Sequence, residues 1–182
     1  MSSESRFTTW LLIGVPGLIW GASFLFMAEG LEATAPTGVT FARILVGFIT
    51  LGLFRGAWKP IPRSDWGGVA LVGLVWLAFP LTMFPYAEQH VSSALTGMLN
   101  GATPLFAAAV ASVLARQFPA RRILLGIGVG MLGAVLMALP SLGRGSSSAL
   151  GIGLILAALV SYGFALNVAR PLQQRHGALP VI

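Results

Sequence analysis

Apolar residues in this chain fall into six blocks, at 10–27, 36–53, 66–84, 94–115, 123–139 and 149–168, with short polar gaps between them. Each block holds about 17 to 22 residues, the length a helix needs to cross a hydrocarbon core of about 30 Å. No water reaches that core, so each crossing must satisfy its own backbone, and helices are predicted throughout. The gaps at 28–35, 55–65, 87–93, 116–122 and 140–148 leave no room for a soluble domain. The run 143–148, GRGSSS, has the composition of an exposed flexible loop. The expected fold class is an all-α, multi-pass integral membrane protein with six transmembrane helices.

Charge adds an orientation. Of eleven basic residues, nine occupy every second gap: Arg6; Arg55, Lys59 and Arg63; Arg116, Arg121 and Arg122; Arg170 and Arg175. The opposite gaps hold Arg144 alone, and Arg43 lies inside the second block. The excess of basic residues on one side places the N-terminus in the cytoplasm and the chain in the inner (plasma) membrane. Glu29, Glu32 and Glu88 fall on the outer side. The composition is 56% hydrophobic and 9% charged, with a sequence pI near 11.4. The basic residues are spread one to three per loop with no basic face, so anionic lipid headgroups are the expected partners and nucleic acid is not. The chain has no Cys, which excludes a disulfide framework and thiol catalysis. The first block is interrupted by Gly14 and Pro16 and lacks a clear cleavage site, so it reads as a retained helix.

The chain carries a faint internal repeat. Leu18-Ile19-Trp20-Gly21 resembles Val160-Ser161-Tyr162-Gly163, and Pro36 has a counterpart in Pro180 at nearly the same offset. A five-helix unit over 1–140, followed by the first helix and start of a second unit over 141–182, fits this spacing. An odd number of crossings per unit forces the second copy into inverted orientation, an arrangement found in many transporters. After a polar basic stretch at 170–177, residues 178–182 read as the start of a further apolar segment, so the sequence is expected to be part of a longer protein.

Polar and helix-breaking residues inside the blocks carry the candidate chemistry. In block four, Thr96, Asn100 and Thr103 stand at i, i+4 and i+7 on one helix face, with Gly97, Gly101 and Pro104 on the neighbouring face. Small residues permit close helix approach, and Pro104 removes an amide donor and frees a carbonyl at Asn100. Two roles are open: a polar, bendable transport helix, or a packing seam. Arg43, roughly 10 Å below the outer surface by helical rise, must face the bundle interior, a wet cavity or a carboxylate. It is either an anchor for an anionic group such as a substrate carboxylate, or a structural ion pair with Glu29 or Glu88, and the structural role is favoured. Trp20 and Ser23 in block one lie at a similar depth. Pro80 and Pro85 in block three bracket Met83 and are expected to kink its outer end, with Tyr86 following. Block six contributes Ser161 and Tyr162. These groups converge on a cavity for a small, partly apolar solute. Block five, with Gly126, Gly128, Gly130 and Gly133, reads as close packing or a dimer face.

His90 and His176 lie in gaps, no cluster has metal-ligand spacing, and no phosphate-binding loop occurs. No cofactor and no metal are expected. An integral membrane enzyme would need paired acids or an activated nucleophile, and none is visible, so the chain is not read as an enzyme.

Ile19-Trp20-Gly21-Ala22-Ser23-Phe24, Phe41-Ala42-Arg43, Gly101-Ala102-Thr103-Pro104-Leu105-Phe106, Leu125-Gly126 and Gly133-Ala134-Val135-Leu136 together resemble the EamA family of the drug/metabolite transporter superfamily. The resemblance implies a ten-helix fold of two inverted five-helix repeats around a central cavity, of which this chain holds six helices. It also implies metabolite transport, often amino-acid export, with Trp20, Ser23, Asn100, Tyr162 and block-three aromatics such as Phe79 and Tyr86 at the cavity. One departure is the stretch Ala115-Arg116-Gln117-Phe118-Pro119, where family members commonly carry a Gly-Glu pair. The resulting expectation is a permease for an amino acid or related amphipathic solute, working by alternating access with bends at Pro80, Pro85 and Pro104. Its expected partners are the solute, membrane lipids, and a second half or second copy of the chain. The rivals are a multidrug or cation exporter and a non-transporting membrane scaffold.

Overall fold

The apolar blocks fold as helices, and prolines decide where those helices change register. A computed structural model describes residues 3–117, 120–142 and 146–182. Among the described residues the chain is helical, with no strand. Helix α1 (Ser3–Ala33) runs 31 residues through Pro16 without a break. Helix α2 (Pro36–Gly52) opens on its proline, where the missing amide would be unpaired in any case. Two 3₁₀ turns, Arg55–Trp58 and Arg63–Asp65, carry the chain to α3 (Trp66–Val72). A π-turn at Gly73–Ala78 joins α3 to α4 (Phe79–Glu88). Then follow α5 (Ser93–Asn100), α6 (Thr103–Leu114), α7 (Arg121–Leu142), α8 (Ser146–His176) and the short α9 (Ala178–Val181). The first half of the GRGSSS run, residues 143–145 with Arg144, lies outside the described residues, and its three serines open α8.

Three segments are long and apolar enough to cross a membrane: Thr8–Ala33, Arg63–Glu88 and Ala149–His176. The pair α5 and α6 passes the same test together, bent by 42°. Two details differ from the pattern read in the sequence. The basic stretch at 170–177 is mostly helix, because Arg, Gln and Leu are good helix formers and Arg175 and His176 complement the dipole in the last turn. Gly177 then stops the helix with φ 89°, a conformation that glycine alone adopts without strain. In α7, only Gly130 meets a neighbour, the Leu105 side chain, while Gly126, Gly128 and Gly133 face open space. Of the two roles expected for these glycines, close packing within the chain is confined to Gly130, and the other three stay on an open face.

Helix α8 is the axis of the bundle. Ile155, Ala158, Leu159, Ala165 and Ala169 along it are fully enclosed, and α4 and α6 lie against it along much of its length. At Gly163 an added Cβ would sit 2.8 Å from the Phe106 backbone, so α6 and α8 cross in backbone contact. Asn167 donates across the same crossing to the Ala107 carbonyl (3.1 Å). By contrast α1 and α7 present long rows of exposed apolar side chains, among them Leu12, Leu18, Phe26, Val129 and Leu132. Such area on one molecule marks a surface covered by lipid or by more protein.

The two prolines of the third apolar block fix how it is held. Pro85 cannot donate to the Leu81 carbonyl four residues back, and the Thr40 hydroxyl of α2 reaches that carbonyl (3.1 Å), sharing its proton with the Pro36 carbonyl of its own helix (3.0 Å). In the π register the amide of residue 80 would serve Val75, but residue 80 is proline, and the Ser161 hydroxyl of α8 takes its place (2.7 Å). At the basic end of the bundle, Asp65 before α3 accepts from His176 (2.6 Å) and pairs with Arg175 (3.1 Å) at the end of α8.

Thr40→Val and Ser161→Ala should each lower stability in detergent by roughly 1 kcal/mol, since each leaves a carbonyl orphaned. Gly163→Val should abolish the folded state, whereas Gly153→Val, on an open face of the same helix, should be tolerated. Thermal melts of the purified variants decide this, and equal melting for both glycine variants would contradict the close crossing.

Candidate functional site

The residues that converge inside the bundle are an aromatic cluster and one pair of opposite charges. Trp20 meets Tyr162 edge-on, ring centroids 6.4 Å apart at 89°. Tyr162 packs on Phe84 at 5.8 Å, and Phe84 meets Phe24 edge-on at 5.5 Å. Phe24, Met27, Phe84 and Tyr162 are buried. Each such ring pair adds roughly 0.5–1.5 kcal/mol beyond area burial. Gly97 makes room for this cluster, because an added Cβ would sit 3.3 Å from the Phe24 ring.

Arg43 lies at the edge of the cluster. Its Nη1 donates to the Met27 sulfur (3.1 Å), a weak acceptor for so strong a donor. It interacts electrostatically with Tyr162 and with Glu88, yet no hydrogen bond joins it to either among the described residues. The Glu88 carboxylate, at the end of α4, has both oxygens buried and without a hydrogen-bond partner. The sequence pattern assigned Glu88 to a gap. In the structure α4 runs to Glu88 and turns its carboxylate into the bundle.

Arg43 also lines a cavity of about 480 Å³ between α2, the Arg55–Trp58 turn, the helix around Leu77 and Leu81, and the tail at Leu179 and Pro180. Arg43 is the one charged side chain on its wall, which is otherwise apolar. Trp58 is held at the rim by donating to the Gly52 carbonyl (2.7 Å). An apolar cleft with one oriented charge is the usual make-up of a small-molecule site. Among the described residues no group of three or more His, Asp or Glu has the arrangement to hold a metal.

The other sequence candidates divide. The polar face read in block four is split, because the helix breaks after Asn100 and Thr103 begins α6. The Thr103 hydroxyl donates back to the Asn100 carbonyl (2.6 Å), the group that Pro104 leaves free. Thr96 is fully buried and donates to the Ser92 carbonyl of its own turn. Asn100 is buried beside it. Ser23 is satisfied within its own helix by the Trp20 carbonyl (2.6 Å). Met83 packs against the buried core from its edge. Phe79 and Tyr86, 40% and 37% exposed, lie outside the cluster. Phe24, Met27 and Phe84 were not among the sequence candidates. Phe24 and Met27 follow Trp20 at i+4 and i+7, the same helical stripe, and that spacing is the signal that could have found them.

A family model described as the EamA-like transporter family matches residues 8–139. The chain is 25% identical over 174 residues to an uncharacterized transporter, YdfC, of Bacillus subtilis (strain 168). The alignment covers 94% of this chain and 55% of that protein, so the chain spans about half the length of the relative it matches. No solved structure matches significantly.

Phe84→Ala should cost about 3–5 kcal/mol, the range for emptying a buried aromatic site. Phe79→Ala, on an exposed face, should change stability by less than about 1 kcal/mol. Denaturation of the two variants in the same detergent tests the assignment, and equal losses would mean that the aromatic cluster is not the core of the bundle.

Proposed function

The chain belongs to the EamA-like transporter family, within the drug/metabolite transporter superfamily, and from that premise we propose a permease for an amino acid or related amphipathic solute. The observation that carries the reading is Arg43 as the one charged side chain on the wall of an otherwise apolar cavity. The guanidinium binds the solute carboxylate by a forked, charge-assisted contact. Phe48 and Trp58 on the same wall supply a rigid apolar face for the rest of the solute. The ligand for Arg43 in the absence of solute is a thioether, which a carboxylate displaces at little cost.

Transport proceeds by alternating access. This five-helix unit over 1–140 rocks against an inverted counterpart, the site lies between them, and the N-terminus is cytoplasmic. The family match ending at residue 139 supports a unit boundary near 140. The bend between α5 and α6 at Pro104 and the π-turn before Pro80 and Pro85 are the hinges, since backbone hydrogen bonds are already missing there. The exposed faces of α1 and α7 meet lipid or the counterpart. Export across the inner membrane is the favoured direction.

One observation supports a second reading. The buried Glu88 carboxylate is the kind of group a multidrug or cation exporter needs, and such a protein would bind organic cations. It would gain nothing from Arg43, whose charge repels them, so amphipathic solutes bearing a carboxylate remain the first choice.

Arg43→Gln should reduce binding of carboxylate solutes by at least about tenfold, as expected for loss of one charge-assisted contact, while melting stays near the wild-type value. Scintillation-proximity binding with a panel of labelled amino acids measures the first, and a thermal melt the second. Unchanged binding, or loss of the folded protein, would leave Arg43 a structural residue.

A further inference from the structure

We propose that α9 is a gate at the basic end of the Arg43 cavity and that Asp65 is the latch that holds it shut. This rests on the reading of that cavity as the solute site. Helix α9 has two faces. Leu179 and Pro180 stand on the cavity wall with Ala57 and Trp58, and Val181 is buried in a second apolar cluster with Val72, Ala169 and Leu172. Leu179 lies against Gly56, where an added Cβ would sit 3.0 Å from its Cδ1. Helix α9 and the Arg55–Trp58 turn therefore close on each other. Arg43 stands nine residues before Gly52 on α2, and both line the cavity, so they are about 13 Å apart along the helix. A solute carboxylate at Arg43 has this closure between it and the basic end.

The latch is built from an acid that forgoes its ordinary role. Asp65 holds the N-cap position of α3 but makes no side-chain cap bond, although an Asp there commonly accepts from the first amides of its own helix. Its carboxylate accepts from His176 (2.6 Å) and pairs with Arg175 (3.1 Å) instead, the two residues just before Gly177. Asp65 thereby clamps the end of α8 to the start of α3, and the turn at Gly177 aims α9 at Gly56. Glycine holds φ 89° without strain and reaches other conformations as readily, so Gly177 is the hinge. The strength of the clamp suits a part that opens and closes. The Arg175 side chain is 56% exposed, and ion pairs open to water contribute little, while Val181 is the one side chain of α9 set in the apolar cluster. Asp65 acts through His176 and does not line the cavity, so it is a positioning residue.

The experiment uses the protein from its complete reading frame in a cysteine-free background. Val181→Cys reports on the gate, and Ala158→Cys, fully buried in α8, reports on the bundle as a whole. In detergent, Asp65→Asn should raise maleimide labelling at position 181 roughly three- to tenfold, as expected for loss of a partly exposed charge-assisted pair. Position 158 should stay unreactive, and Asp65→Glu should restore slow labelling at 181. A second arm needs no latch variant and serves if Asp65→Asn fails to fold. Gly56→Cys with Leu179→Cys, bridged by a short bis-methanethiosulfonate linker, should stop amino-acid counterflow in proteoliposomes, and reductant should restore it. Equal labelling at 181 with and without Asp65, a parallel rise at 158, or counterflow undiminished by the bridge overturns the gate and leaves the permease reading intact. If the unbridged protein moves no amino acid, the permease reading fails and the gate fails with it.

Discussion

A backbone carbonyl that loses its donor inside an apolar bundle must find another, and the arrangement of this protein turns on that requirement. Pro80 and Pro85 deprive the third apolar block of two intrahelical bonds. Thr40 and Ser161 replace them from helices on either side. Each hydroxyl bond nets only of order 1 kcal/mol, but its position decides which neighbouring helix holds the block. The prolines therefore weaken the helix along its length and pin it laterally. Helix α4 is held between α2 and α8 at two set heights, which fixes where Phe84 and Glu88 point. Thr103 does the same locally for the carbonyl that Pro104 frees at the α5–α6 bend.

The charges follow from this placement. Arg43 lies one turn beyond Thr40 on α2, and Glu88 lies one turn beyond Pro85 on α4. Thr40 ties α2 to α4 at Leu81, and across this pair of helices Arg43 and Glu88 interact electrostatically. They stop short of a salt bridge. Phe48 and Trp58 line the cavity beside Arg43 and offer surface suited to the apolar part of an amphipathic molecule.

Much of the fold was legible in the sequence, because apolar block length reports directly on helices that cross hydrocarbon. The bend at block four and the irregularity near Pro80 were readable from the prolines. Harder to see were the partners. Thr40 and Ser161 look like ordinary small polar residues until the carbonyls they serve are known, and those lie 41 and 86 residues away in sequence. Glu88 was assigned to a gap because an acid beside Gln and His breaks the apolar run, although the helix continues to it. Thr96 and Thr103 stand out for polarity, which Thr96 spends on its own turn and Thr103 on the last carbonyl of α5. Phe24 and Phe84 were passed over because an aromatic in an apolar block carries no signal of which side it faces.

The most direct measurement is counterflow of labelled amino acids in proteoliposomes holding the protein from its complete reading frame, with and without a pH gradient. The expected result is saturable exchange of labelled amino acids across the membrane. Exchange of organic cations with no amino-acid movement, or no solute movement by folded protein, would contradict the assignment of Arg43 and the aromatic wall as a carboxylate-solute site.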